Sequence, residues 1–419
     1  MSSNLLKDKE NSFNLSKRLE EFGITRLADT TGLDYINIPT SSCVCPGTTD
    51  AIWVYSGKGT TPERSRISAI MECVERTSSL WNEERIIISD YSTLSQKSIV
   101  WEPTKFTESI SSHYSPNEPI AWIEGTHLWK DCSVWIPADL AFNGHRPQLE
   151  VPNPFLVSTS NGLGAGFSLE QATTQALGEL IERDAVSCME LRASHFGAAY
   201  ILNLARFIGK EQSSLLKNFQ DNTDLALTIN LESLPQSAID LYKKFQDANL
   251  DIQIKYIPND FNVPVFGAAA VEMMSFDSVL AAAGYGISLN PEEAICRALL
   301  ELAQSRATDR QGVREDCGCE EKDRHSDIPS SHWLAEPGSK STNYEDIFAF
   351  QDSKVSSKDD FLARLKSSGL DDAAVVNFNT YKDIFVVRAI VPEIETWHAT
   401  GGVSRVGQRM SGYFTSSVN

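Results

Sequence analysis

Polar side chains that could bind a metal ion or a phosphate recur at one helical spacing in three parts of the chain. In each part four of them stand at i, i+4, i+7 and i+8, which is a single stripe on a helix of 3.6 residues per turn. The stripes are Ser68, Glu72, Glu75 and Arg76, then Gln175, Glu179, Glu182 and Arg183, and finally Arg297, Glu301, Gln304 and Ser305. The sequence therefore predicts three helices that each present a polar stripe.

Five carboxylates on these stripes could hold magnesium. Mg²⁺ prefers oxygen ligands and commonly takes one or two carboxylates together with phosphate oxygens and water. The neighbouring Arg76, Arg183 and Arg297 could bind phosphate oxygens bidentately. If the three helices converge, this set of side chains favours metal-assisted phosphoryl or nucleotidyl transfer.

A simpler interpretation is that the Glu and Arg of each stripe form surface ion pairs, which stabilise a helix only slightly. The neighbours of the stripes favour the functional interpretation, because apolar residues border each stripe and unpaired charges in apolar surroundings are costly. These apolar residues are Ile67, Ile70, Met71 and Val74, then Ala176, Leu177, Leu180 and Ile181, and finally Ala298, Leu299, Leu300 and Leu302.

The three stripes follow similar helix starts. The segments GKGTTPE at 57–63, GAGFSLE at 164–170 and GISLNPE at 286–292 align without gaps. Each begins with glycine, places Thr, Ser or Asn at the N-cap and carries Glu in the first turn, where it suits the helix dipole. We therefore expect three copies of one strand–helix design.

The rest of the chain predicts a mixed α/β (α+β) protein. Helical periodicity covers 14–23, 61–80, 168–192, 235–248, 290–309 and 357–368. Patterns typical of strands cover 51–56, 84–89, 119–129, 155–160, 252–257, 263–272, 373–378 and 383–391. The stretch 316–346, rich in charge, Ser, Pro and Gly, predicts a long surface loop.

Composition excludes several classes of function. The chain of 419 residues is 41% hydrophobic and carries a formal net charge of -19, which disfavours binding to nucleic acids and anionic membranes. No segment approaches the roughly 18 apolar residues of a membrane span, so we expect a cytoplasmic protein. The pairs Cys43/Cys45 and Cys317/Cys319 lack a histidine at zinc-finger spacing, and we expect reduced thiols.

The three stripes resemble the signature blocks of the YcaO superfamily in order and spacing. Supporting stretches are GITRLADTTGLDYINIPT at 23–40, GKG at 57–59, SNGLGAGFS at 160–168 and FVVRAIVPE at 385–393. The resemblance covers most of 20–310 and the last of these stretches. It implies a YcaO-type fold with three repeated helix-on-sheet units around a Mg-ATP cleft, and a homodimer.

The resemblance also implies an ATP- and Mg²⁺-dependent enzyme that phosphorylates the carbonyl oxygen of a peptide backbone amide. A side chain of Cys, Ser or Thr in the peptide then gives an azoline, whereas sulfide from a partner gives a thioamide. The residues implied as magnesium ligands are Glu72, Glu75, Glu179, Glu182 and Glu301. Those implied in ATP binding are Lys58, Ser68, Arg76, Gln175, Arg183 and Arg297, and those implied in catalysis are Glu72, Glu179 and Arg297.

The sequence is similar to stand-alone members of the family that form thioamides with a TfuA partner, so a peptide or protein substrate and a sulfur-delivering partner are expected. The family's P-G-x-E turn reads Pro392-Glu393-Ile394-Glu395 here, which departs from the pattern. The chain lacks the P-x-P-x-P tail of many azoline-forming members, although azoline formation stays an alternative. A non-catalytic peptide-binding scaffold with this fold is a further alternative, disfavoured because all five carboxylates are present.

This interpretation predicts four regions. They are an N-terminal helical or extended segment over 1–50, a catalytic core with the three repeats over 51–312, a surface loop over 313–347, and a C-terminal α/β segment over 348–419 that completes the domain.

Overall fold

The structure is a computed structural model that describes most of the chain. The described residues are 2–108, 114–156, 159–193, 226–275, 278–312, 332–335, 338, 340–348, 356–399 and 404–410. The helices within these residues are α1 (Ser2–Ser16), α2 (Pro62–Ser78), α3 (Tyr91–Leu94), α4 (Ala138–Ala141), α5 (Leu169–Ala193), α6 (Gln236–Asp247), α7 (Pro291–Gln311), α8 (His332–Ala335), α9 (Tyr344–Phe348) and α10 (Lys358–Ser367).

Fourteen strands are described, and together with the helices they confirm the mixed α+β class. They are β1 (Arg26–Asp29), β2 (Thr40–Val44), β3 (Val54–Lys58), β4 (Ile86–Ser89), β5 (Ile120–His127), β6 (Cys132–Pro137), β7 (Leu163–Gly166), β8 (Leu227–Ile229), β9 (Ile252–Tyr256), β10 (Val265–Ser275), β11 (Ser278–Ile287), β12 (Ser341–Thr342), β13 (Ala374–Asn377) and β14 (Phe385–Ile390).

The chain divides into two compact units. Unit 1 comprises Met1–Thr77, Ala226–Pro258 and Val263–Val355. Unit 2 comprises Ser78–Leu225, Asn259–Asn262 and Ser356–Asn419.

The described residues of unit 1 form two sheets. The first has the order β1-β2-β3 and is antiparallel. The second has the order β11-β10-β9-β8-β12, in which the β12–β8 pair is parallel and the other described pairs are antiparallel. Helices α6 and α7 pack against the second sheet, and their core includes Phe245, Ile254, Phe266, Ile295 and Leu299, all fully buried. This packing holds α7, which carries one of the three polar stripes.

The described strands of unit 2 form one antiparallel sheet. Its strands follow the order β4-β5-β13-β14-β7, and β6 pairs with β5. Helix α5, which carries the second stripe, packs on β7 and β14, and α10 packs against α5. The fully buried Ala176, Leu177 and Ile181 form the apolar face of α5. Apolar residues therefore border the stripe of α5, as the sequence predicts.

In three strand–helix pairs, a glycine of the strand lies against the backbone of the helix. An added Cβ at Gly57 would lie 2.1 Å from the backbone nitrogen of Ala69 and 2.3 Å from the carbonyl oxygen of Ser65. The equivalent distances are 2.8 and 2.4 Å at Gly164, to Ala176 and Ala172, and 2.5 and 2.3 Å at Gly286, to Ala298 and Ala294. The contacted residues stand at the same two offsets from the glycine in all three pairs. Glycine is needed here because any side chain would collide with the helix backbone.

The helix starts also match. Thr61 Oγ1 accepts a hydrogen bond from Arg64 N at 3.3 Å, and Ser168 Oγ accepts one from Gln171 N at 3.1 Å. Asn290 Oδ1 accepts one from Glu292 N at 3.0 Å. Each bond satisfies a donor that the first turn of a helix leaves without a partner. The predicted threefold repeat of the strand–helix design is confirmed.

Other expectations were less accurate. The helix predicted over 14–23 is wrong beyond Ser16, where the chain continues in turns. The strand predicted over 155–160 is not found at 159–160, whereas 157–158 lie outside the described residues, and β7 begins at Leu163. Residues 313–331 of the predicted loop, with Cys317 and Cys319, also lie outside the described residues. The surface-loop prediction is wrong for the described remainder, which contains α8, β12 and α9, because Leu334 of α8 is fully buried against Gly267 of β10. Among the described residues, no helix is long and apolar enough to cross a membrane.

Candidate functional site

In unit 1, a buried carboxylate holds the arginine of the first stripe. Helix α2 carries Glu72, Glu75 and Arg76, and Arg76 donates two hydrogen bonds to Asp50, Nε to Oδ2 at 2.8 Å and Nη2 to Oδ1 at 2.7 Å. The Asp50 side chain is fully buried and also accepts a hydrogen bond from the Tyr55 hydroxyl at 3.1 Å. The pairing fixes the guanidinium at the C-terminal end of the α2 stripe.

Electrostatics reinforce this pair. Burial would lower the pKa of Arg76, but the hydrogen bonds and negative charge of Asp50 outweigh burial and raise it. Burial also raises the pKa of Tyr55, and the Asp50 carboxylate adds to the effect. Arg76 therefore stays charged, as a phosphate-binding arginine requires. Sequence reasoning missed Asp50, because this residue lies outside the repeated segments and its only signal is an acidic residue shortly before a strand.

The α2 helix also contacts buried thiols. Cys43 and Cys73 are fully buried and Cys45 is 4% exposed. The Cys43 thiol donates to the carbonyl oxygen of Ala69 at 3.1 Å, and a hydrogen bond between the Cys73 and Cys43 thiols is the main cause of the raised pKa of Cys73. All three are free thiols, which agrees with the sequence expectation.

The third stripe in unit 1 brings two predicted site residues together. Lys58 at the end of β3 pairs with Glu301 on α7, Nζ to Oε2 at 2.6 Å, and both side chains are about a quarter exposed. The backbone N–H of Tyr285 donates to the other carboxylate oxygen of Glu301 at 3.3 Å. Strand β3 and helix α7 thus place a cation and a carboxylate in direct contact.

Two further stripe residues of α7 bind backbone. Gln304 Nε2 donates to the Ser56 carbonyl oxygen at 2.7 Å, and Ser305 Oγ donates to the Ala283 carbonyl oxygen at 2.8 Å. These hydrogen bonds attach the helix to β3 and β11. Gln304 and Ser305 therefore replace the Glu and Arg of the other stripes with anchoring contacts.

Arg297 at the start of the same stripe behaves differently. Its Nη2 lies 2.7 Å from Glu293 Oε1, in an i, i+4 pair in which both side chains are 42% exposed. A pair of this kind contributes little stability. In the structure Arg297 therefore forms an ordinary surface ion pair, and it can exchange Glu293 for another partner at low cost in free energy.

In unit 2, helix α5 carries the second stripe. Glu182 is 7% exposed, and Arg183 Nε lies 3.9 Å from Glu182 Oε1. Glu179 is partly buried, and Gln175 is exposed one turn earlier. Burial limits the hydration of these carboxylates, so a bound cation would stabilise their negative charge more than it would stabilise that of an exposed surface glutamate.

The donor set fits magnesium bound together with phosphate. Among the described residues, no group of three or more His, Cys, Asp or Glu side chains is close enough to hold a metal ion by itself. Mg²⁺ bound through one or two carboxylates, with the remaining positions filled by phosphate oxygens and water, needs no such group. The carboxylates of the stripes supply oxygen ligands of the required chemistry.

Comparison with known proteins decides the family. Residues 56–395 match the model of the family described as YcaO cyclodehydratase, ATP- and Mg²⁺-binding. The chain belongs to the YcaO family. ATP and Mg²⁺ are therefore the cofactors that the family description names, as the sequence predicts. The matched span includes every predicted site residue.

Two relatives align over nearly the whole length of this YcaO protein. An uncharacterized protein of Methanothermobacter thermautotrophicus is 29% identical over 410 residues, which cover 94% of each chain. An uncharacterized protein in the tfuA 3′ region of Rhizobium leguminosarum bv. trifolii is 25% identical over 409 residues, which cover 93% of this chain and 88% of the relative.

A solved structure shares the fold. YcaO from Methanopyrus kandleri, bound with AMPPCP and Mg²⁺, superposes with a TM-score of 0.69 and 23% identity, covering 96% of this chain and 94% of the other. The YcaO-type fold expected from the sequence is therefore confirmed.

Proposed function

We propose that this YcaO protein uses ATP and Mg²⁺ to activate a peptide backbone amide, and that the activated amide is converted to a thioamide with sulfur from a partner protein. The observation that carries the proposal is the repetition of one strand–helix design in a chain of this family. Glu72, Glu179 and Glu301 stand at the same position in the three copies, each on a helix pressed against a glycine of its strand.

The stripes supply the groups that phosphoryl transfer needs. We assign magnesium binding to the carboxylates of Glu72, Glu75, Glu179, Glu182 and Glu301. Magnesium would neutralise charge on the phosphates when bound. We assign nucleotide binding to Lys58, Ser68, Arg76, Gln175, Arg183 and Arg297, and a direct part in catalysis to Glu72, Glu179 and Arg297.

The protein side chains position and neutralise rather than attack. Arg76 is already held rigidly by Asp50, which suits bidentate contact with a phosphate. Lys58 and Arg297 are paired with partly exposed carboxylates, so a phosphate could replace Glu301 or Glu293 as their partner. The amide oxygen becomes a leaving group once it is phosphorylated, and sulfide then attacks the carbon.

The relative in the tfuA 3′ region supports thioamide formation with a TfuA-like partner, because its name places it beside tfuA and its similarity extends over 93% of this chain. We propose a TfuA-like protein as the sulfur-delivering partner, and a homodimer as the oligomeric state. The alternative product is an azoline, which the family's description as a cyclodehydratase supports.

Peptides of defined composition separate the two products. The protein would be incubated with ATP, Mg²⁺ and two peptide libraries, one without Cys, Ser and Thr and one with a single internal Cys, each with and without sodium sulfide. Thioamide formation predicts a mass gain equal to replacing oxygen by sulfur, in both libraries and only with sulfide. Azoline formation predicts the loss of one water, only in the Cys library and whether or not sulfide is present.

A heavy-oxygen label in the peptide carbonyl adds a mechanistic test. Amide phosphorylation transfers this label to the released phosphate with either product. Unlabelled phosphate alongside a modified peptide would contradict the proposed activation. The Glu179→Gln variant is the control for background modification.

A further inference from the structure

The segment near the C-terminus lies along helix α5 in unit 2. Residues 393–399 and 404–410 of this segment are described, and we call them the C-terminal strap. The strap begins three residues after the last residue of β14, Ile390, and it contacts the helix after the residues of the polar stripe. Its contacts therefore bear on the direction in which that stripe points.

The strongest contact joins Arg409 to Asp184. Arg409 Nε donates to Asp184 Oδ2 at 2.8 Å and Nη2 donates to Oδ1 at 3.0 Å. Both side chains are almost fully buried, at 8% and 1% exposure. The backbone N–H of Glu395 donates to the same Asp184 Oδ2 at 2.9 Å. The helix is thus attached to both ends of the strap at one carboxylate.

Arg409 is itself held from two further sides. Its Nη2 donates to Asp260 Oδ1 at 2.5 Å, and its guanidinium stacks 4.1 Å from the ring centroid of Phe261. A guanidinium fixed by two carboxylates and an aromatic ring keeps little rotational freedom. It can therefore transmit a fixed orientation to Asp184.

A second attachment lies one turn further along the helix. The backbone N–H of His398 donates to Ser187 Oγ at 2.9 Å, and its ring Nδ1 lies 2.5 Å from Glu190 Oε2. Ser187 is fully buried, and Glu190 is 8% exposed. The strap therefore contacts α5 at two successive turns.

The strap also has a firm internal shape. The Glu395 carboxylate is fully buried and accepts hydrogen bonds from Met410 N at 2.9 Å and Gly407 N at 3.1 Å. These bonds join the beginning of the strap to its end. Arg409 lies between their two donors in sequence, so the same turn that Glu395 closes presents Arg409 to the helix.

The attachment point lies opposite the proposed magnesium ligands. At about 100° per residue, Asp184 is turned by about 200° from Glu182 and by about 140° from Glu179. The apolar packing of α5 through Ala176, Leu177 and Ile181 is non-directional and by itself leaves the helix able to rotate slightly about its axis. A rigid ion pair at Asp184, on the side of the helix away from Glu179 and Glu182, opposes such rotation and so fixes where the two glutamates point.

We propose that Arg409 is a positioning residue for magnesium and ATP binding, acting through its ion pair with Asp184 on helix α5. This inference rests on the proposed function of the α5 stripe. Arg409 would touch neither the metal nor the nucleotide. Its loss would lower affinity for magnesium because Glu179 and Glu182 would no longer be held in one direction.

The test measures ATP binding to the full chain by calorimetry over a series of Mg²⁺ concentrations. Arg409→Ala should fold but require about tenfold more Mg²⁺ for half-maximal ATP binding, at the lower end of the roughly 10- to 100-fold effects seen when residues that hold metal ligands are removed. Arg409→Lys, which keeps the charge but loses the bidentate geometry, should recover part of this shift.

The matched control is Arg146→Ala. Arg146 forms a similarly buried ion pair with Asp139 in the same unit, at 2.7 Å, but this pair is not on α5. The control should keep the wild-type Mg²⁺ requirement. An equal shift in the control would assign the effect to general loss of stability and overturn the inference.

If Arg409→Ala does not fold, Asp260→Ala decides. Asp260 is 48% exposed, so its removal should be tolerated while it loosens Arg409. It should raise the Mg²⁺ requirement by about threefold. If Arg409→Ala folds and its Mg²⁺ requirement is unchanged, the positioning role is overturned. If Arg409→Ala is unfolded, an unchanged Mg²⁺ requirement in Asp260→Ala has the same meaning. Either result leaves the proposed function intact. No Mg²⁺-dependent ATP binding by wild type would instead overturn the proposed function.

Discussion

The arginines of the three stripes are held in different ways. Arg76 binds a fully buried carboxylate at Asp50, whereas Arg297 binds an exposed glutamate on its own helix. Arg183 lies 3.9 Å from its neighbour Glu182. A buried pair resists exchange because an unpaired buried charge is costly, whereas an exposed pair opens easily. The arginines therefore differ in how readily each could exchange its present partner for a phosphate, as the proposed function requires.

Residue types and spacing identified the stripes, but they did not identify the buried acidic residues that hold the arginines and helices in place. Asp50, Asp184 and Glu395 carry much of the local electrostatics, and none of them belongs to the repeated pattern. Their contacts bring together residues far apart in the chain, as Asp184 and Arg409 illustrate. Helical periodicity reports which face a residue occupies but not which distant side chain packs against that face.

The Glu395 carboxyl should make stability depend on pH. Burial and the nearby Asp184 charge raise its pKa from 4.5 to about 7. The folded state therefore holds a proton that the unfolded state releases above about pH 4.5, so the free energy of unfolding should fall as pH rises from about 4.5 to 7, by about 3 kcal/mol at most. Urea unfolding across this range measures the slope.

Glu395→Gln isolates this contribution. The amide cannot ionise, so the variant should lose the fall in stability between about pH 4.5 and 7. Glu393→Gln, at an exposed glutamate in the same turn, is the control and should keep the wild-type slope. The same slope in wild type and Glu395→Gln would show that Glu395 is not the titrating group.

At the level of elements, the helix starts were predictable because their signals are local. An N-cap side chain, a first-turn glutamate and a preceding glycine act within a few residues, and the three copies agree in the structure. Strand β11 was missed because Ala281-Ala282-Ala283-Gly284 has the composition that strands disfavour. Its small residues are explained by tertiary packing, since an added Cβ at Gly284 would lie 2.1 Å from Leu302 N on α7.

Gly57→Ala should destabilise unit 1 because the new methyl group would meet the backbone of α2 at 2.1 Å. Rigid helix backbone cannot move aside cheaply, so we expect a loss of about 1–3 kcal/mol or more in the free energy of unfolding. Gly32→Ala is the matched control, since an added Cβ there meets nothing within 4 Å. Equal stability of the two variants would contradict the close strand–helix approach.

For the whole molecule, the family and the α+β class followed from the three repeats, because these repeats span most of the chain. The division into two units did not follow. Each unit combines segments from distant parts of the sequence, and no change in composition marks their boundaries.

The net charge of -19 opposes ATP binding, since an anionic protein must bind an anionic nucleotide. Magnesium and the stripe arginines would meet this demand in the proposed function.

The most direct test of the central claim is calorimetric titration of ATP into the full chain with and without Mg²⁺. We expect magnesium-dependent binding by wild type and a loss of ATP affinity of at least about 100-fold in Glu179→Gln, because removal of a ligand charge should exceed the roughly 10- to 100-fold effect of residues that only support ligands. Glu170→Gln, at a 55% exposed position in the first turn of the same helix, should bind as wild type does. Wild-type affinity in a folded Glu179→Gln variant, or no binding by folded wild type, would contradict the account.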